Sequence, residues 1–498
     1  MGNSRNALLN SLSGVISQLI TLVLAFIVPR LVLTRYGSDT NGFTNTITQI
    51  FTYMALLEAG IAQAAKNALY KPLKENDKES ISKIMSIAKK YYNRITLVYF
   101  AVVIILAFVV PFFLKSDLPY LRMSLYILFQ GLTNVVVFYF IQKWSTFLIA
   151  SGKAFIVNFI YLLNKILCYT AYIVLALFRI NIVFVQLSYF ALSFVQLLLY
   201  FIYMKKRYGW IKYNTATNKE KLNDKNSYIV SEVAWTIFSS TDMIVLSFFV
   251  STSLASVYSI YNMVFLALSN LLNSVYVALN YRLGILFHKN IEEYEKKHDL
   301  YIGLFVGAMC ALMSVSYLLI IPFVKLYTNG VNDIEYVYSE LPILFCLIQI
   351  ISWSRYIPGN LVGLSGRQKK AIKINIVEAA LNILLSIILV NVMGIVGVLI
   401  ATVAVLPIKV VYCIVVSDVF VLKRNVWSTF KLLLPNYLGF SIALIVDIYV
   451  SFTINDYLAF CLYGAVLFLI FSFLFTIINF AFNKELRLKI WSLCKKRC

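Results

Sequence analysis

The sequence predicts an all-α polytopic membrane protein of about fourteen transmembrane helices, in two parallel six-helix lobes plus two C-terminal helices, with both termini cytoplasmic. Three observations predict it: composition, the placement of basic residues, and a repeat. Of 498 residues, 61% are hydrophobic and 13% charged, against about 45–50% and about 25% in soluble domains. Apolar runs of the ~20 residues needed to cross a bilayer recur from end to end. They leave no polar stretch large enough for a sizeable water-soluble domain.

Taken in order, apolar runs bounded by charge, Pro or Gly place spans at 8–33, 42–65, 95–114, 120–144, 154–178, 182–204 and 228–250, then at 254–281, 300–323, 337–362, 372–391, 395–417, 428–449 and 457–482. The first two flank Arg35-Tyr-Gly37. The third lies between Arg94 and Lys115, the fifth between Lys153 and Arg179, and the sixth stops at Lys205. The eighth stops at Arg282 and the ninth precedes Lys325. The eleventh follows the basic segment from Arg367, the twelfth precedes Lys423-Arg424, and the fourteenth precedes Lys484. The domains that follow are an N-lobe (1–208), a cytoplasmic linker (209–227), a C-lobe (228–425), and two further spans with a basic tail (426–498).

The count can be tested against the charges. An even number of spans puts both termini on one side, and 35 of the 44 basic residues fall on that side, six on the other and three within spans. Under the positive-inside rule the basic side is cytoplasmic. One miscounted span would scramble the sorting downstream. Acids divide as 11, 7 and 4, so the net charge of +22 is almost wholly topology. The basic residues are spread over eight segments and mixed with acids, which excludes nucleic acid as a partner.

Seven scattered cysteines contain no Cys-x-x-Cys pair and suggest neither disulfides nor zinc. Cys494 and Cys498 in the basic tail read as idle cytosolic thiols in preference to acylation sites. The stretch after Arg5 is too long for a signal h-region and lacks a cleavage site. No Gly-x-x-x-x-Gly-Lys-Ser/Thr loop is present, so the chain does not itself hydrolyse ATP. Both histidines, His288 and His298, lie in one cytoplasmic loop, which removes histidine catalysis and metal binding from the membrane interior. The pairs Gly303/Gly307 and Gly359/Gly363 fit close helix packing.

The third observation is the repeat. Ile149-Ala-Ser-Gly-Lys153 matches Gly363-Leu-Ser-Gly-Arg367 at an offset of 214, and Thr40-Asn-Gly-Phe43 aligns with Ala255-Ser-Val-Tyr258 at 215. A displacement of six spans gives both lobes the same orientation, an arrangement suited to alternating access along a path between them.

A charge at the centre of a membrane helix costs about 2.5–3.5 kcal/mol on insertion scales, so such residues face protein or a watery cavity. They are Glu58, Lys165, Glu232, Asp242, Arg355, Glu378 and Lys409, with Arg30 near the outer end of the first span. Lys165 and Asp242 lie mid-span. Arg355 precedes Pro358-Gly359 and Lys409 follows Pro407, which puts both near expected helix breaks. Glu232 and Glu378 lie near the cytoplasmic surface. On the 214 offset, Glu378 corresponds to Asn164, the neighbour of Lys165.

The run Leu56-Leu-Glu-Ala-Gly-Ile61, then Ala68-Leu-Tyr-Lys-Pro-Leu73 and Lys74-Glu-Asn-Asp-Lys78, resembles the Wzx-type polysaccharide-biosynthesis flippases of the multidrug/oligosaccharidyl-lipid/polysaccharide exporter superfamily. Arg35-Tyr-Gly37, Asn41-Gly42 and the fourteen spans extend the resemblance along the chain. It implies movement of an undecaprenyl-pyrophosphate-linked oligosaccharide from the cytoplasmic to the outer leaflet for O-antigen, capsule or exopolysaccharide synthesis. It also implies residence in the cytoplasmic (inner) membrane and partnership with a polysaccharide polymerase and a chain-length regulator. Spans 1–6 would rock against spans 7–12. Arg30, Lys165, Arg355 and Lys409 would bind the pyrophosphate, Arg as a fork and Lys as a point charge. Glu58, Asp242, Glu232 and Glu378 would couple H+ or Na+ or pair buried bases. No other cofactor, no metal and no catalysis is expected.

Three alternatives compete. Lipid II flippases share the span number but typically carry an Arg-Asp pair in the first span, where this chain has Ser17-Gln-Leu-Ile-Thr21. Drug/cation antiporters of the same superfamily usually have twelve spans. A membrane polymerase or glycosyltransferase should carry a large external loop with convergent acids, Arg or His, whereas the longest external segment, about 324–336, holds only Asp333 and Glu335.

Overall fold

Runs of Leu, Ile, Val and Phe in a bilayer must satisfy their backbone groups within each segment, which leaves the α-helix as the economical answer. The computed structural model describes residues 2–214, 226–450 and 452–495. Side chains are described for these except at 2–8, 11, 12, 15, 57–60, 226–235, 237, 239, 368–370, 490 and 492–495. All regular structure among the described residues is helical: α1 (Gly2–Glu75), α2 (Lys78–Phe113), α3 (Tyr120–Val136), α4 (Gln142–Ala150), α5 (Ala154–Leu177), α6 (Ile182–Tyr208), α7 (Asn226–Phe249) and α8 (Thr252–Lys289) come first. They are followed by α9 (Ile291–Tyr327), α10 (Leu341–Ser354), α11 (Tyr356–Leu364), α12 (Gln368–Val415), α13 (Trp427–Tyr449), α14 (Tyr457–Phe482) and α15 (Lys484–Lys495). Eleven helices among the described residues are long and apolar enough to cross a bilayer. Two of them, α1 and α12, turn at Gly37 (φ 84°) and Gly394 (φ 56°) and so hold two expected spans each.

The chain forms two compact units, 1–256 and 257–498. In the first, α1 packs against α2, α4, α5 and α7, α2 against α3, and α3 and α5 against α6. One of its cores among the described residues joins aliphatic side chains to a group of packed rings. Tyr99 of α2 meets Phe138 edge-on at 4.9 Å and Phe51 of α1 at 6.4 Å, while Phe43 meets Tyr126 at 5.2 Å. Residues Val137–Ile141 form a π-helical segment between α3 and α4.

In the second unit α9 is buried along most of its apolar length and packs against α10, α13, α14 and α15. Phe345 of α10 stacks on Phe265 and Tyr261 of α8 at 5.2 and 5.9 Å. The Gly303/Gly307 pair does pack closely, in a specific way. A methyl group on Gly303 would lie 2.4 Å from Asn483 Nδ2, and one on Gly307 2.4 Å from Asn479 Nδ2. Asn479 exchanges hydrogen bonds with Asn436 at 2.8 and 3.2 Å. The glycines thus make room on α9 for the amides by which α13 and α14 dock. At Gly359 the nearest contact of such a methyl is Cys413 Sγ at 3.4 Å, an ordinary approach.

The helix breaks carry the repeat. At Ser151-Gly152-Lys153 the amides bond back to the carbonyls of Phe147, Ile149 and Leu148. At Ser365-Gly366-Arg367 they bond to Leu361, Gly363 and Val362, each exactly 214 positions on. The central glycines share a φ of 73° and 71°, the left-handed cap that glycine adopts without a Cβ penalty. Arg179 (φ 53°), between α5 and α6, recurs as Gly394 (φ 56°). Asp77 caps α2 by accepting from the amides of Glu79 and Ser80, and Asn290 caps α9 from Glu292 and Glu293.

Two sequence expectations need correction. Lys409 lies at no helix break: α12 runs without interruption through Pro407 and Lys409 to Val415, and its one non-helical residue is Gly394. His298 is not a loop residue. It lies on α9, fully buried, with Nδ1 3.1 Å from Asp299 Oδ1 and Nε2 3.3 Å from Ser417 Oγ.

Candidate functional site

The reversal of α12 at Gly394 brings residues 20 to 31 positions apart face to face. Asn375, Glu378, Asn382 and Ser386 lie at helical spacing on the first half of α12 and are all buried. Across from them, Asn382 Nδ2 donates to Thr402 Oγ1 at 2.8 Å, and Lys409 Nζ lies 3.8 Å from Glu378 Oε2. The α10–α11 junction supplies the third member, for Arg355 sits at that discontinuity and donates from Nη1 to Glu378 Oε1 at 3.0 Å. Arg355 is 5% exposed and Glu378 1%. Three of the predicted residues therefore form one cluster of two cations around one carboxylate, summing to +1. Glu378 is buried as the acceptor that makes the two neighbouring bases tolerable.

In the first unit Lys165 is half-buried on α5 and held by its own helix. Its Nζ bonds Tyr161 Oη at 3.1 Å and lies 5.2 and 5.7 Å from the ring centres of Tyr161 and Tyr169, one turn to either side. No carboxylate among the described residues lies within ion-pair distance of it. Asn164, which occupies the repeat position of Glu378, instead donates to Gln196 Oε1 at 3.4 Å. Lys165 thus keeps an ammonium in an aromatic setting, next to the position at which the other repeat supplies an acid.

Two of the remaining predicted residues are described in the first unit. Arg30 is half-buried on α1, seven residues before the Gly37 turn. Asp242 is 5% exposed on α7, next to Thr241, whose hydroxyl is 3.2 Å from Tyr53 Oη. The side chains of Glu58 and Glu232 lie outside the described residues.

Two polar centres escaped the sequence reading. Arg424, counted there as a topology charge, uses its whole guanidinium. It bonds Asp299 through Nη1 and Nη2 at 2.8 Å, Glu295 at 3.0 Å, Asp418 through Nε at 2.9 Å and Thr429 at 3.2 Å. Asp418, fully buried in the π-helical segment Val416–Val421, also accepts from Thr429. This knot ties α9 to α13 beside His298. The second centre lies just after the Gly37 turn of α1, against the end of α7 and the start of α8. Asp39 accepts from Ser116 Oγ at 2.7 Å, from the Asp117 amide at 3.1 Å and from the Thr252 hydroxyl. Nearby, Thr46 and Ser247 hydroxyls are 2.5 Å apart and Asn41 Nδ2 donates to Ser256 Oγ at 2.7 Å. A methyl on Gly42 would fall 1.6 Å from the Thr252 carbonyl oxygen, so only glycine permits this approach. The sequence signal for this centre was the Asn41-Gly42 pair, which the repeat alignment had already singled out.

No family model matches the chain, and no curated protein matches it in sequence. Its fold is similar to that of solved transporters. One is a lipid II flippase MurJ in an inward closed conformation, with TM-score 0.65 and 17% identity over 94% of this chain and 98% of that one. A second is an inward-facing multidrug resistance MATE family transporter of the MOP superfamily, with TM-score 0.64 and 11% identity over 86% and 96%. A third is a Vibrio cholerae MATE transporter, with TM-score 0.52 and 12% identity over 86% and 97%. At these identities the likeness is one of fold. The polytopic all-helical architecture expected from the sequence is the one observed.

Proposed function

We propose that this protein is a flippase that moves a polyprenyl-pyrophosphate-linked oligosaccharide across the cytoplasmic membrane for surface polysaccharide synthesis. The observation that carries the reading is the buried Arg355–Glu378–Lys409 cluster, two cations on one acid. A pyrophosphate needs both a fork and a point charge, and the cluster supplies Arg355 and Lys409 for these roles. Lys165, held by Tyr161 and Tyr169, is the complementary cation of the first unit, with Arg30 as a further headgroup contact. Glu378 is then more than a counterion. As the acid shared by both bases it is also a candidate for coupling to H+ or Na+. Asp242 is the corresponding candidate acid of the first unit. The polymerase and chain-length regulator are the partners this role calls for.

A vesicle assay tests the reading. Labelled lipid-linked oligosaccharide should change leaflet without a new glycosidic bond, and replacing Lys165, Arg355 and Lys409 together should abolish surface polysaccharide in a strain lacking other flippases. Unchanged polysaccharide in that strain would sink the proposal, and bond formation would favour the polymerase class. Lipid II is a second reading, favoured by the fold likeness to the lipid II flippase across nearly the whole of both chains. Translocation of labelled lipid II in preference to the oligosaccharide carrier would select it.

A further inference from the structure

In the first unit a groove of about 850 Å³ opens between the N-terminal part of α1, the start of α5 and the end of α6. Leu9 and Ile16 of α1, Phe155 and Phe159 of α5, and Leu199 and Ile202 of α6 line its length. Its volume is within the ~300–1,000 Å³ range of ligand pockets. Ile16, Phe159 and Ile202 are each at least half exposed, so the groove is open sideways to lipid. Its walls are fixed by polar contacts, not by apolar packing alone. Asn10 accepts from the Phe155 amide at 2.7 Å and donates to the Gly152 carbonyl at 3.1 Å, and Asn158 donates to Ser13 Oγ at 3.1 Å. Tyr203, Lys206 and Arg207 also line it. Lys206 and Arg207 are exposed, and no carboxylate among the described residues lies within ion-pair distance of either.

We infer that this groove holds one anionic phospholipid of the cytoplasmic leaflet, an acyl chain along the apolar floor and the phosphate against Lys206 and Arg207. The charges select the occupant. A neutral lipid leaves two adjacent cations without an anion, and a free phosphate leaves the apolar floor empty. The last turn of α6 lies on the side that the distribution of basic residues marks as cytoplasmic, the leaflet where anionic lipids reside and where basic pockets between helices bind them. The groove has none of Lys165, Arg355, Glu378 and Lys409 in its lining, so it can stand whatever the transported substrate is.

Full-length protein, purified from membranes and placed in phosphatidylcholine nanodiscs containing phosphatidylglycerol, tests it by native mass spectrometry. One phosphatidylglycerol should be retained by the wild type. The Lys206→Ala/Arg207→Ala variant should lower its occupancy roughly tenfold or more, and Ile202→Trp, which fills the groove and keeps the charges, should also lose it. Lys205→Ala, on the same turn but outside the lining, should keep it. Thermal unfolding in pure phosphatidylcholine discs checks folding of each variant, with Ile16→Trp from the opposite wall standing in if Ile202→Trp does not fold. Retention by the filled groove, equal retention of phosphatidylcholine, retention after both cations are removed, or a polyprenyl phosphate in place of the phospholipid would each overturn the inference.

Discussion

Asn41 Nδ2 donates a 2.7 Å hydrogen bond to Ser256 Oγ, and the two residues are 215 positions apart, the displacement that aligns one repeat with the other. Equivalent positions of the repeat therefore touch, at a point where Gly42 lets the backbone of α1 reach that of Thr252. In a background without the native cysteines, Cys introduced at 41 and 256 should cross-link under mild oxidation. Gly42→Val should abolish the cross-link and, with it, transport in the vesicle assay. Undiminished cross-linking in Gly42→Val would remove the steric argument.

Glu378 is the acceptor for one buried base, Arg355, and one half-buried base, Lys409, so neutralising it alone leaves them without it. Glu378→Gln should destabilise the protein by about 3–5 kcal/mol, the usual cost of breaking a buried pair from one side. The Arg355→Met/Glu378→Met double variant should recover much of that stability while remaining inactive in complementation. Thermal unfolding in detergent separates the two effects, and a double variant no more stable than Glu378→Gln would contradict the pairing.

Gly303 and Gly307 make the space that Asn479 and Asn483 occupy. Gly307→Val should displace the Asn479–Asn436 pair and cost about 1–3 kcal/mol through overpacking, with α13 and α14 becoming more accessible to protease than α9 and α10. Gly359→Ala, where the new methyl meets Cys413 at 3.4 Å, should be close to neutral. Equal losses at 307 and 359 would argue against the specific docking role.

Arg424 joins Asp299, Glu295, Asp418 and Thr429 in one knot. Arg424→Ala leaves Asp418 buried without its guanidinium and should cost about 3–5 kcal/mol. Lys423→Ala, beside it and exposed to a greater degree, should change stability by no more than about 0.5 kcal/mol. The same unfolding measurement compares them, and similar values would mean that Arg424 serves topology alone.

The helices and their repeat were legible because hydropathy, turn residues and caps act within a few residues of themselves. Ser151-Gly152-Lys153 and Ser365-Gly366-Arg367 were matched from sequence, and their identical hydrogen bonds followed from the same local chemistry. Arg355, Lys409 and Glu378 were identified one by one because a charge within a span is expensive wherever it lies. Arg424 and His298 were not identified, since a basic residue beside a span looks the same whether it faces water or five protein acceptors.

Sequence alone thus carried the class of solvent, the apolar spans in order, the paired breaks at Gly152 and Gly366 and the short list of costly charges, all of them properties of single residues or near neighbours. The tertiary structure decided who partners whom. It set Glu378 between Arg355 and Lys409, left Lys165 with tyrosines and Asn164 with Gln196 where the other repeat sets Glu378 against two bases, and closed Asp39 upon Ser116 and Thr252. Those pairings join residues tens to hundreds of positions apart, and they depend on how helices reverse and pack, which no local pattern encodes.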